Sequence, residues 1–256
     1  MSEETMTENI LLDIALANPR GIRIVPFTKK VESKTGADWE WCFWSPSKNQ
    51  FTRMLVQAKR LDRRERRYSS IYQNIGKSTT RQIDRLIQRA GNRSIPAIYA
   101  FYNHLTDVGR LPLSSFKSEE WGVSVASARK VRALRNNSFD VIKGVSTPWH
   151  CLVCKPVGTS IAQHVFNTLR DQILSAMRTP LSGPPSDDES ESLAVESGIP
   201  PYISEIRDYI GAEREGRGDE ILESMADRYP DIDGIVLVVD DEDPYLATSS
   251  AVSSAL

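Results

Sequence analysis

Cysteine is scarce in this chain, three in 256 residues. An odd and small number argues against a disulfide framework and fits a reducing compartment. Long apolar runs are missing too. No stretch approaches the roughly 20 residues that cross a bilayer, and the amino terminus MSEETMTENI is acidic, without a basic stretch leading into an apolar one. The expectation is a soluble, cytoplasmic protein with no membrane partner. No GxxxxGK[ST] sequence and no nucleophile elbow occur, which disfavours P-loop and hydrolase-triad chemistry. Cys151 and Cys154 form the only CxxC pair. Read on a short strand from Trp149 to Cys154, the two thiols point to opposite faces, so buried structural cysteines are favoured over half of a zinc site completed by Cys42, His104, His150 or His164.

What is present is unevenly distributed. The net charge of −2 hides two halves: residues 1–180 carry 28 Lys+Arg and 15 Asp+Glu, a net of +13, whereas residues 181–256 carry 4 and 19, a net of −15. The first part therefore expects a polyanion. Hydrophobic content of 40% with 5 Trp, 8 Tyr and 7 Phe is enough to build a core. The predicted organisation is an α/β domain over residues 1–180, an acidic Pro/Ser-rich disordered linker over 181–198, and an acidic segment over 199–256, an appendage whose helices and single strand are free to join the main domain.

Apolar spacing predicts a first helix from Thr7, with Thr7 as its cap, to Ala17, and an extended segment from Ile22 to Pro26. Ala37 to Trp44 alternates, with Asp38 and Glu40 on one face and Trp39, Trp41 and Phe43 on the other. Ser45 to Asn49 supplies turn chemistry, and Phe51 to Lys59 returns as the second strand of an antiparallel hairpin, with Gln57 and Lys59 sharing a face. Helices are expected over Gln82–Ala90, through Val125, Ala128, Val131 and Leu134, and over Ile161–Met177. Ser94–Tyr102 reads as a buried strand. Near the carboxyl end, Ile203–Ile210 and Glu220–Tyr229 read as helices and Ile235–Val239 as a buried strand. This order argues for an α/β sandwich around a mixed sheet.

Hydrolysis of a phosphodiester needs divalent cations held by carboxylates and a cation near the attacking water. The hairpin offers those groups. Asp38 and Glu40 project from one strand, Gln57 and Lys59 from the next; the Ala58 carbonyl is available to complete a ligand shell, and Lys59 would orient water and counter negative charge. Beyond Lys59 runs the basic stretch Arg60, Arg63, Arg64, Arg66 and Arg67, which is either a solvated loop or a track for a phosphate backbone. Lys77, Arg81 and Gln82 would extend it, and Arg129, Lys130, Arg132 and Arg135 form either its continuation or a plain wet helix face. The run Asp240-Asp241-Glu242-Asp243 reads as a solvated turn before a cation site, and the acidic part as a cover for the basic face.

Gly36-Ala37-Asp38 followed by Val56-Gln57-Ala58-Lys59-Arg60 resembles the PD-(D/E)xK nuclease superfamily, in the Gln-x-Lys form of Mrr-like restriction endonucleases, whose second motif also reads QxKR. GADWEW, VQAKRL, RQI and FYN further resemble an uncharacterised, mostly prokaryotic domain family placed near such nucleases, over roughly Thr7 to Cys154. The resemblance implies a restriction endonuclease-like three-layer sandwich with a central mixed sheet and an acidic carboxyl-terminal extension. It implies a Mg²⁺-dependent endonuclease, with Mn²⁺ as a substitute, acting on DNA, with RNA left open, in prokaryotic defence; a homodimer or a partner protein is also left open. Asp38 is then the metal-binding aspartate, Gln57 the second ligand and Lys59 the catalytic lysine, with Glu8 or Glu32 as the added glutamate and Gln82 helping to hold substrate or metal. Two departures stand out. Ala37 replaces the proline, and Gln57 replaces a charged ligand. The latter motivates a rival reading, a catalytically inactive nucleic-acid-binding module of the same fold, and a weaker third, an interaction protein whose basic face meets an acidic partner.

Overall fold

A computed structural model describes residues 3–17, 21–27, 39–75, 79–105, 117–154, 156–175 and 193–240. Asp38, Glu32 and Lys77 lie outside the described residues, as do residues 181–192 of the expected linker and Asp241, Glu242 and Asp243. No helix among the described residues is long and apolar enough to cross a membrane.

The helices are α1 (Glu3–Ala17), α2 (Gln82–Asn92), α3 (Ala128–Leu134), α4 (Phe139–Ile142), α5 (Ile161–Ser175), α6 (Ile203–Arg214) and α7 (Gly218–Arg228). The strands are β1 (Ile22–Pro26), β2 (Trp39–Ser45), β3 (Gln50–Arg60), β4 (Ala97–Tyr102), β5 (Val123–Ser127), β6 (Thr147–Pro148), β7 (Glu196–Ser197) and β8 (Gly234–Val239). They form one sheet in the order β1-β8-β2-β3-β4-β5-β6, with β7 paired to β3. The sheet is mixed: β2 with β8 and β3 with β4 run parallel, and the other pairs antiparallel.

The β2–β3 hairpin follows from its sequence. WEWCFWS and QFTRMLVQAKR are rich in aromatic and branched side chains that fit a pleated surface, and Pro46 opens a single 3-10 turn that Asn49 closes in the left-handed region at φ 52°. Alternation then sorts the two faces. One carries Cys42, Leu55, Tyr99, Phe101, Ile235 and Leu237 against Ile83 and Leu86 of α2, Ile203 and Ile206 of α6, and Leu222 and Met225 of α7. The other carries Phe43, Met54, Val56, Ile98, Ala100 and Val236 against Leu11 of α1 and Ile161, Val165 and Leu169 of α5. Helices on both faces of a mixed sheet make a three-layer α/β sandwich.

Three expectations are corrected, and one left open is resolved. The acidic carboxyl-terminal part, free to stand apart or to join the main domain, joins it: β8 lies between β1 and β2, in the interior of the sheet, because an all-apolar GIVLVV strand is stable only when covered on both faces. Gly234 there is obligatory, since a Cβ would come within 2.4 Å of the Trp39 ring and 2.5 Å of the Val25 carbonyl. Val125 belongs to β5 and not to a helix; α3 begins at Ala128, so the apparent helical spacing straddles a strand–helix junction. Trp149–Leu152 is a 3-10 turn rather than a strand, which leaves Cys151 half-buried and Cys154 exposed. Thr7 does not cap α1, which starts at Glu3. It is buried inside the helix, where its hydroxyl lies 3.0 Å from the Tyr102 hydroxyl.

Candidate functional site

The hairpin register places Glu40 opposite Leu55. Strand alternation carries Gln57 and Lys59 onto that same face, in register with Tyr99 and Phe101 of β4. All three polar groups are deeply buried: Gln57 is 1% exposed, Lys59 2% and Glu40 2%. Their environments differ sharply.

Glu40 is ion-paired through both oxygens, although its Oε1 accepts no hydrogen bond. Its Oε2 accepts from Arg93 Nη1 at 2.5 Å, and its Oε1 lies 3.5 Å from Arg53 Nη1. Arg53 in turn donates twice to Glu196, from Nε at 3.0 Å and Nη2 at 3.1 Å. Burial works against the Arg53 charge, but Glu196 and then Glu40 hold it above its ordinary range. Arg93 also lies over the Tyr229 ring, at 6.0 Å from the centroid. Beside this cluster, burial pushes the Cys42 thiol and the Tyr202 phenol up, so both stay neutral. Four charges that satisfy one another in this way do structural work, locking β2, β3, the end of α2 and the segment around β7 together.

Gln57 is the opposite case. Its Oε1 is buried and accepts no hydrogen bond from any described residue. A buried acceptor left unpaired is uncommon and costs free energy that a ligand can return. An unpaired carbonyl oxygen suits a hard, oxygen-seeking cation such as Mg²⁺ or Mn²⁺. No group of three or more His, Cys, Asp or Glu among the described residues is arranged to hold a metal. The cation would therefore need Asp38 as its carboxylate, and Asp38, like Glu32, lies outside the described residues.

Glu8 is not brought to this face. Helix α1 packs over Trp39, Val56, Ala58 and Tyr102, on the other side of the sheet from Gln57 and Lys59, and Glu8 is exposed there. The helical pattern that buries Met6 and Leu11 fixes that orientation.

The basic stretch after β3 is a hydrogen-bonded turn exposed to solvent. Asp62 Oδ1 accepts from the amides of Arg64 at 2.8 Å and Glu65 at 3.1 Å, and the chain closes with Arg67 bonded back to Asp62. Arg60, Arg63, Arg64 and Arg67 are exposed, and Arg66 reaches Asp140 at 3.3 Å and covers the Phe139 ring. Arg81 is exposed just before α2, and Gln82 is half-buried at its first turn.

A buried network around Asn103 carried no assigned role in the sequence. Asn103 is fully buried; its Oδ1 accepts from the Tyr68 hydroxyl at 2.5 Å, and its Nδ2 donates to the Trp121 carbonyl at 2.6 Å and to Ser124 Oγ at 3.1 Å. The signal available was an amide side chain directly after the wholly apolar strand AIYAFY. The network anchors the residue that follows the basic turn to the end of β4.

The model of a family described as a family of unknown function (DUF6615) matches residues 1–244. No curated protein and no solved structure matches the chain.

Proposed function

The chain belongs to DUF6615, whose function is unknown, and we propose that it is a divalent-metal-dependent nuclease of restriction endonuclease-like fold that hydrolyses DNA phosphodiester bonds. One observation carries this reading. A buried, unpaired Gln57 acceptor stands two residues from a buried Lys59 on one sheet face, at the end of β3 where a turn of exposed arginines begins. An amide oxygen without a donor, on the same sheet face as a buried ammonium group, is an acceptor that a cation can use.

In this mechanism Asp38 and Gln57 hold Mg²⁺ or Mn²⁺, which when bound would activate water and neutralise phosphate charge. Lys59 sits beside the scissile phosphate, orients the attacking water and counters the charge that develops on the phosphoryl oxygens. The Arg60–Arg67 turn holds the flanking backbone. Glu40 takes no direct part, because its carboxylate is already shared between two guanidinium groups.

Purified full-length protein should nick or cut DNA with Mg²⁺ or Mn²⁺ and not without metal. Asp38→Ala and Lys59→Met should abolish cutting while keeping the far-ultraviolet spectrum; unchanged activity in either variant overturns the assignment. The neutral Gln57 favours one rival, an inactive nucleic-acid-binding module. Binding without cleavage across Mg²⁺, Mn²⁺ and Ca²⁺, with no metal-induced rise in melting temperature, would establish that rival instead.

A further inference from the structure

Two basic segments far apart in sequence are stitched into one surface. The amide of Tyr68, directly after the turn, donates to the Asn137 carbonyl at 2.9 Å, and the amide of Phe139 donates to the Arg66 carbonyl at 2.8 Å. The Asn137 side-chain amide donates to the Tyr68 carbonyl at 3.2 Å, and the Tyr72 hydroxyl to the Val131 carbonyl at 2.6 Å. The basic turn therefore has a fixed position against α3 and α4.

Charge on the joined segments is strongly one-sided. Residues 60–67 and 128–143 together hold 10 Lys+Arg and 3 Asp+Glu. Two of the three acids are already occupied: Asp62 caps the turn, and Asp140 pairs with Arg66 and Lys143. Arg60, Arg63, Arg64 and Arg67 on the turn and Arg135 at the end of α3 stand exposed, as does Arg132, whose Nε pairs with Asp84 of α2 at 2.8 Å. Aromatic side chains do not. Tyr68 and Phe139 are each 1% exposed. The large hydrophobic side chains exposed among the described residues are Leu12, Leu16, Val153, Val157 and Ile199, all aliphatic and all outside these two segments. Single strands are held by stacking bases on aromatic rings, and among the described residues no ring stands exposed in these two segments; Tyr72 beside them is half-buried, its hydroxyl held by Val131.

We infer that the 62–67 turn and the α3–α4 segment form one rigid surface for the backbone of a double-helical nucleic acid, read through phosphates and not through bases. It rests on the proposed function only for the nature of the polyanion, and it can be tested without cleavage. The full chain, in Ca²⁺ to suppress turnover, should be titrated by fluorescence anisotropy with a DNA duplex, an RNA duplex and a single strand of equal length, each over a salt series. Wild type should bind at least one duplex more tightly than the single strand. Arg63→Ala/Arg64→Ala should lower the slope of log affinity against log salt by about 2 and Arg135→Asn by about 1. Arg170→Ala, on α5 across the sheet, should leave it unchanged. Preference for the single strand, no duplex binding at low salt, or wild-type slopes in the turn and α3 variants would overturn the surface. If duplexes bind with these slopes but Mg²⁺ and Mn²⁺ give no cutting, the surface stands and the hydrolytic reading falls. If cutting occurs while the arginine variants bind normally, the reverse holds.

Discussion

Two buried polar clusters occupy the same face of the same sheet, and they obey opposite rules. Around Glu40, every charge has a partner: Arg53, Arg93 and Glu196 close a network that joins four parts of the chain. Around Gln57, an acceptor at 1% exposure has none among the described residues. They are neighbours: Glu40 pairs with Leu55, and Gln57 is the next residue of β3 on that face. Burial therefore does not distinguish the two clusters, whereas ion pairing does: Glu40 Oε1 lacks a hydrogen bond as Gln57 Oε1 does, but it faces the Arg53 guanidinium at 3.5 Å. A satisfied network lowers the free energy of the folded chain relative to its broken forms, while an unsatisfied group persists only if something outside the fold repays it. Glu40, a carboxylate that the sequence offers for catalysis beside Asp38, is the one the fold consumes; the neutral amide is the one it leaves open.

Breaking the first cluster should have the largest effect. Glu40→Ala takes the carboxylate from Arg93 and leaves Arg53 with Glu196 alone, and should cost up to about 3–5 kcal/mol. For a chain of this size that corresponds to a fall in melting temperature of roughly 6–20 °C, measurable by scanning calorimetry. A fall of one or two degrees would mean that the network is not structural.

The converse substitution sharpens the contrast. Gln57→Leu removes an unpaired acceptor and keeps the side-chain volume close, so metal-free protein should be unchanged or more stable by about 1–3 kcal/mol, while any metal-dependent activity is lost. Stability gained where function is lost marks a site held open for a ligand. A large destabilisation would show instead that Gln57 belongs to the core. Gln57→Glu completes the set: the buried carboxylate should lower the melting temperature without metal and enlarge the rise on adding Mn²⁺, since a charged oxygen binds the cation more tightly.

The two clusters were not equally legible. A strand period of two is enough to put Gln57 and Lys59 on one side, and Pro46 and Asn49 announce the hairpin turn, so the local geometry of the candidate site can be read directly from the sequence. Glu40 was legible as a face and not as a role, because Arg93 reaches it from the end of α2 and Glu196 reaches Arg53 from 143 residues downstream. The same distance hid the place of the acidic part. Its excess of carboxylate looked like an appended mask, yet Glu196 pairs with Arg53, Asp231 with Arg89 at 3.1 Å, and Asp240 Oδ2 accepts from Ser45 and from the first amide of α5. Part of the +13 and −15 is thus two halves of one set of contacts. No composition count shows that, since pairs as far apart as Arg53 and Glu196, 143 residues, or Ser45 and Asp240, 195 residues, are decided by the sheet order and not by local propensity.

A satisfied but neutral group should lie between the extremes. Tyr68→Phe removes the donor to Asn103 Oδ1 and leaves that oxygen buried, which should cost about 1–3 kcal/mol. The Arg64 and Arg67 bonds should also become more open to trypsin, because Tyr68 anchors the turn. Unchanged proteolysis would show that the turn is held by its own hydrogen bonds.

The smallest effect belongs to a satisfied group in full contact with water. Asp62 accepts from the amides of Glu65 and Arg64, and these two bonds, in that order, hold its carboxyl below the ordinary 3.8. A depressed carboxylate favours the folded turn above the unfolded value and loses that contribution as pH falls through the lower, folded one. Solvent screens the group, so Asp62→Ala should leave the melting temperature of the whole chain nearly unmoved. The local consequence is readable nonetheless. In an NMR titration the Arg64 and Glu65 amides should shift with a midpoint below 3.8, and a midpoint at or above 3.8 would remove the carboxylate cap from the account of the turn. Asp62 is as well satisfied as Glu40, but without burial the same satisfaction orders a turn and stabilises little else; it is burial and pairing together that make a cluster structural, and burial without pairing that leaves Gln57 open to a ligand.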